Sequence, residues 1–97
     1  MLREEMNFTR DAKNVEEHFL PVMQTSWACA RSILHKHTGN KVSIDGRLMT
    51  FLKFYYDFTK NDIILVFLKH GWVWKSIYEI SIRDLKNHVV TVEEYAE

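Results

Sequence analysis

Four groups of residues carry side chains whose types and spacing could do chemistry. His35 and His37 bracket Lys36 as HKH. Two imidazoles at i and i+2 can meet one metal ion from a strand or loop, but on a helix they point about 160–200° apart. No acid or cysteine stands close by in sequence to complete a ligand set. The pair therefore reads as cations crowding the last turn of a helix, where they suit its dipole. Cys29 would become a nucleophile only with a histidine beside it. It lies between Ala28 and Ala30, next to the apolar face marked by Trp27 and Ile33, and reads as a small buried apolar residue. Glu16, Glu17 and His18 form EEH. Acid–base work needs groups that converge on a substrate, and adjacent helix residues diverge. This triplet reads as a solvated first turn.

The fourth group interleaves cations with aromatic rings. It comprises Lys53, Tyr55, Lys69, Trp72, Trp74 and Lys75, with Phe54 among them. Rings and cations on one sheet face can hold a single-stranded nucleic acid by stacking and charge. Trp and Tyr are equally the favoured anchors of protein–protein interfaces. The blander account is a core whose lysines reach water at strand edges. The sequence RRM pattern is absent. Gly39, Gly46 and Gly71 are dispersed, so no phosphate-binding glycine loop exists. Neither G-x-S-x-G nor H-E-x-x-H occurs. No catalytic residue, no cofactor and no metal are assigned, and the expectation is a protein that is not an enzyme.

The elements that must position these residues follow from periodicity. Residues 1–13 are polar and are expected to be flexible. Asn14 followed by Glu17 fits a capping box. From there Val15, Phe19, Val22, Met23, Trp27, Ala30, Ile33 and Leu34 recur at three- and four-residue steps, which predicts a helix over 14–38. Pro21 falls inside it and predicts a kink. Gly39 can supply the left-handed stop.

Beyond Asn40 the period shortens. Asp45-Gly46 between apolar runs is a strong two-residue hairpin signal. Residues 47–58 can be read as strand or helix, and their aromatic content favours strand. As a strand they place Leu48, Leu52, Phe54, Tyr56 and Phe58 on one face and Met49, Phe51, Lys53, Tyr55 and Asp57 on the other. Ile63 to Leu68 suits a strand buried on both faces. His70-Gly71 turns the chain into a strand over 72–82, with Trp72, Trp74, Ser76, Tyr78, Ile80 and Ile82 on one face. The two tryptophans should then be buried together or exposed together. Ser81 to Asp84 can cap a short helix through Asn87. Val89 to Val92 suits a last strand, and Thr91 to Glu94 suits a helical turn. The fold class is α+β: one kinked N-terminal helix packed on an antiparallel meander of about four strands over 41–82, with a short C-terminal element over 83–97. Helix-then-meander is the order of cystatin-like and related folds, a likeness of architecture from which no function follows.

Ninety-seven residues, 46% hydrophobic and 27% charged, fit a single domain. Thirteen aromatics are more than one small core can hide, so some should reach the surface. The lone cysteine and the absence of an N-terminal apolar run favour a reducing, cytoplasmic setting. No run approaches the ~18 apolar residues that span a bilayer. Net charge is zero, yet residues 25–77 carry +5 between a −2 start and a −3 end. The expected function is a small intracellular protein-binding domain, a regulator or inhibitor of a larger partner of the kind that mobile elements and phages encode. Its expected partner-binding residues are Trp72, Trp74, Lys53, Tyr55, Lys69 and Lys75. One alternative is single-stranded nucleic-acid binding through the basic middle. Another is a small-molecule-binding or catalytic pocket between the helix and the sheet, with Tyr55, Tyr56, His70 or Glu79 as its polar lining. Pairing of two copies through a sheet edge is compatible with each.

Overall fold

A computed structural model describes the backbone of residues 7–94 and the side chains of residues 8–91. A helical run covers one face of a five-stranded antiparallel sheet of order β4-β3-β2-β1-β5. The strands are β1 Lys41–Ile44, β2 Arg47–Asp57, β3 Asp62–His70, β4 Lys75–Ser81 and β5 Val90–Glu94. The sheet has five strands against the about four expected: β1 to β4 form the meander over 41–82, and the C-terminal element adds the fifth. β5 returns to the far edge and pairs with β1, so Thr91 to Glu94 is strand and not helical turn.

The helical run starts earlier than the capping-box pattern indicates. α1 spans Asn7–Asn14, and Asn14 makes no side-chain cap. Phe8, Ala12 and Val15 are spaced by four and three and are all buried, which makes them one core-facing stripe. The stretch expected to be flexible is thus core from Phe8 onward, and residues 1–6 lie outside the described residues. Phe8 stands edge-on to Phe51 at 5.2 Å and to Phe67 at 6.0 Å between ring centroids.

The expected break at Pro21 takes the form of two changes of winding. A π turn, Val15–Phe19, is followed by a 3₁₀ turn, Leu20–Val22, and then α2 runs Met23–His35. Pro21 has no N–H to give the preceding turn, so the regular ladder cannot pass through it. The Ser26 hydroxyl donates to the Phe19 carbonyl at 2.8 Å, which satisfies an acceptor at the break. α2 buries Met23, Ala30 and Leu34. Trp27 packs its ring on Phe54 and Tyr56, centroids 6.1 and 6.0 Å away.

The Asp45-Gly46 turn forms as the sequence requires, with φ of 53° and 81°. Residues 47–57 are strand, but their two faces are not the ones simple alternation gives. The register slips between Phe51 and Lys53, leaving Leu52 as the extra residue of a bulge. Before the bulge Met49 and Phe51 face the helices, and after it Phe54 and Tyr56 do. Lys53 and Tyr55 are thereby moved to the opposite, open face. β3 is the central apolar strand expected, with Ile63, Leu65 and Phe67 in the core. On its other face Val66 is buried while Ile64 and Leu68 are half-buried, so burial on both faces holds only in part.

From Ser81 the chain crosses to the other edge. The Asp84 N–H donates to Ser81 Oγ at 3.1 Å, and a 3₁₀ turn, Leu85–Asn87, follows. Ile82 and Leu85 enter the core, and Lys86 Nζ sits 3.6 Å from Glu16 on the helical run.

Candidate functional site

Register defines the open face of the sheet, because residues directly opposite each other on antiparallel strands share a side. One row reads Lys41, Thr50, Leu68, Ile77; the next reads Lys53, Val66, Glu79; a third reads Tyr55, Ile64, Ser81. Leu48, Leu52, Tyr55 and Ile77 are exposed on or beside it. Helices lie on the other side, so the face is apolar at its centre with Lys41, Lys53, His70 and Lys75 around it. The Thr50 hydroxyl and His70 Nε2 are 3.1 Å apart on the same face.

At one end of this face stands the β3–β4 loop, Gly71–Trp74. The Gly71 N–H donates to the Trp74 carbonyl at 2.8 Å, closing the loop. A Cβ on residue 71 would lie 2.7 Å from that same carbonyl oxygen, so the closure needs glycine for space. Trp72 is 99% exposed, Val73 66% and Trp74 79%. The two tryptophans are exposed together, though for a reason that alternation does not give. Their parity is that of Tyr78 and Ile80, which the helices cover. They escape the core because β4 begins only at Lys75, and the period-two rule does not extend into a loop.

Five of the six expected binding residues, Lys53, Tyr55, Trp72, Trp74 and Lys75, lie on the open face or its terminal loop. Lys69 does not. It shares a row with Met49 and Ser76 on the helix side, and its Nζ sits 5.9 Å from the Tyr78 ring centre. Ile77 (57% exposed), Val73, Leu48 and Leu52 also belong to the patch, although nothing in their residue type marks them for it. Alternation within β4 is the signal that marks Ile77, as the apolar member of a Lys75/Ile77/Glu79 face.

The other chemically able groups are placed otherwise than expected. Cys29 is exposed on the outer side of α2, because the buried stripe runs through Met23, Trp27, Ala30 and Leu34. His37 is buried beyond the helix end, with Nε2 2.7 Å from Asp11 Oδ2 and its ring edge-on to Phe8. It is a core residue and not a dipole cation, while His35 is exposed. Burial works to raise the Asp11 carboxyl, but hydrogen bonds and charge from His37 and Lys36 outweigh it and hold the carboxyl below its ordinary range. Glu17 and His18 are exposed.

A cluster with no sequence signature ties the two ends of the crossing segment. His88 Nδ1 lies 2.6 Å from Asp45 Oδ2, and Nε2 lies 3.3 Å from Asp84 Oδ2. The Val89 N–H donates to Asp45 Oδ1 at 2.9 Å. The hydrogen bond to Asp45, with help from Asp84, raises the imidazole above its ordinary value. These groups pin β5 to the β1–β2 turn. Tyr55, Tyr56, His70 and Glu79 do not converge on a common pocket: Tyr56 donates to Asn61 Oδ1 at 2.6 Å under α2, whereas the other three lie on the open face. A hollow of about 410 Å³ lies instead between α1 and the crossing segment, lined by Thr9, Ala12, Ile82, Leu85 and Val90 among others. Among the described residues, no group of three or more His, Cys, Asp or Glu side chains is placed to hold a metal ion, and no helix is long and apolar enough to cross a membrane. Comparison of the chain with family models, curated proteins and solved structures gives no match.

Proposed function

We propose that the chain is a non-enzymatic protein-binding domain that regulates or inhibits a larger partner. Docking uses the Trp72–Val73–Trp74 loop and the adjoining open face. The observation that carries this reading is the near-complete exposure of two tryptophans in one closed loop. A tryptophan in water forgoes the ~1.5–3 kcal/mol that burying a large apolar side chain provides, and Trp is the residue most enriched at binding hot spots. The complementary surface is an apolar protein pocket with an acidic rim, since Lys41, Lys53 and Lys75 surround the apolar centre and Glu79 is the acid beside them.

Capture from host lysate should therefore yield a partner that survives nuclease treatment. Trp72→Ala and Trp74→Ala should each weaken that partner's affinity by about 30-fold or more, as hot-spot truncations do. Their thermal unfolding should match the parent. If both variants fold and retain the same partner at the same affinity, the loop is not the anchor.

Tyr55 beside Lys53 on the open face supports a second reading, a stacking platform for single-stranded nucleic acid. It requires binding to single strands that falls steeply with salt. Absence of such binding at low salt removes it.

A further inference from the structure

β4 is an edge strand: among the described residues it pairs with β3 on one side and with nothing on the other. Edge strands offer a row of unpaired backbone groups, and charged side chains on them ordinarily discourage a second strand from adding. The charges on β4 have a different property. Along its open face run Lys75, Ile77 and Glu79, two opposite charges equally spaced about an apolar residue. Neither charge has an ion-pair partner among the described residues.

We infer that the occupant of this edge is a second copy of the chain, added antiparallel about a two-fold axis through Ile77. An antiparallel pair that continues the sheet must match residues of the same face, so the register can change only in steps that preserve parity. Centred on Ile77, the pairing sets Lys75 opposite the partner's Glu79, Glu79 opposite the partner's Lys75, and Ile77 opposite the partner's Ile77. Centred on Tyr78, it sets Glu79 against the partner's Ile77 and Lys75 against the partner's Ser81. Centred on Lys75 or on Glu79, it opposes like charges. Only the Ile77 register satisfies both charges, and it does so twice. On the helix side the same register sets Ser76 against the partner's Tyr78, which is small against large. The product is a ten-stranded sheet with both helical runs on one side and both open faces on the other. In this register the Trp72–Trp74 loop lies just outside the 75–79 overlap and stands opposite residues 80–82 of the second copy, so each tryptophan loop flanks the seam, and the tryptophan and charge variants are what separate the dimer from the proposed docking surface.

Charge swapping tests this directly. Analytical ultracentrifugation over a dilution series in the micromolar range should show a reversible dimer of the parent chain. The affinity is modest, because so short an edge falls at the small end of specific interfaces. K75E sets Glu against Glu at both positions and E79K sets Lys against Lys. Each should weaken self-association by about tenfold to a hundredfold, since two favourable cross-strand pairs become unfavourable. An equal mixture of K75E and E79K should associate like the parent, because each chain then supplies the charge its partner lacks. The K75E/E79K double variant should dimerise as well. Both substituted residues are exposed, and unchanged thermal unfolding confirms that the variants are folded. A monomeric parent throughout the series, dimers indifferent to both single reversals, or a mixture that fails to associate would each overturn the proposal. Loss of partner capture in the tryptophan variants with the dimer intact, or the reverse, separates this failure from that of the docking surface.

Discussion

Phe8 gives the sharpest test of the packing described above, because its stretch reads as a polar tail in sequence and as core in the structure. Its side chain has no exposed surface, and its ring meets His37, Phe51 and Phe67 edge-on at 5.6, 5.2 and 6.0 Å. Phe8→Ala removes a whole ring from between two strands and a helix end, a site that cannot collapse without moving the sheet. Core Phe→Ala replacements cost about 3–5 kcal/mol. A chain of this length is stabilised by about 5–15 kcal/mol in total. The variant should therefore lose about a fifth of its stability at the least, and its urea midpoint should fall by about 2 M. Equilibrium urea unfolding followed by circular dichroism reads this out. Phe58→Ala is the matched control: Phe58 is 79% exposed, and its loss should stay within about 0.5 kcal/mol. A cost below about 1 kcal/mol for Phe8→Ala would mean that α1 does not seal the core, and the account of the N-terminal stretch would fail.

Two further outcomes follow from the loops. His88 has a raised pKa, owed first to Asp45. Its stabilising effect is complete below the unfolded value of about 6.5 and is lost as pH rises through the folded value. Asp45 and Asp84 are held low, first by the Val89 N–H and by Asn87 respectively. Their effect is present above the unfolded value of about 3.9 and is lost as pH falls through the folded values. The parent should therefore unfold at lower temperature as pH rises from about 6 to 8.5, and His88→Gln should flatten that slope; equal slopes in the two proteins would refute the assignment. Gly71→Ala forces a Cβ to 2.7 Å from the Trp74 carbonyl oxygen. It should cost about 1–3 kcal/mol in urea unfolding, and an unchanged midpoint would show that the loop closes without needing glycine.

What the sequence discloses and what it hides divide along the reach of the interactions. Asp45-Gly46 sets its own backbone angles, so its hairpin was readable, and so was the apolar run Ile63 to Leu68. Ser81 and Asp84 meet across a single turn and were equally visible. Phe8 was not, because NFTRDAKN is polar on average and its few apolar residues acquire meaning only against Phe51 and Phe67, over forty residues away in sequence. β5 pairs with a strand about fifty residues upstream, and nothing in VVTVEE specifies that partner. Trp72 and Trp74 mislead for the opposite reason: alternation is a local rule, and it stops applying outside the strand, which begins at Lys75. Cys29 misleads by its nearness in sequence to an apolar stripe that turns away from it.

The bulge at Leu52 shows how one unpaired residue settles both layers at once. Without it, strict alternation would send Lys53 and Tyr55 after Met49 and Phe51 to the helix side. A lysine ammonium beneath α2 would then have to lose its hydration without a partner, which costs several kcal/mol. Phe54 and Tyr56 would be left on the open side, and Trp27 would lose the two rings it packs on. With the extra residue, the strand delivers two apolar side chains to the core before the slip and two aromatic ones after it. Lys53 and Tyr55 pass to the open side, beside Ile64 and Val66. The mixed basic and aromatic character of the open face is therefore a consequence of how the core is closed. The same is not true of the tryptophan loop. No packing requirement of the fold places two indoles in water at Trp72 and Trp74, so their presence there calls for an explanation outside the fold, and a binding role provides one.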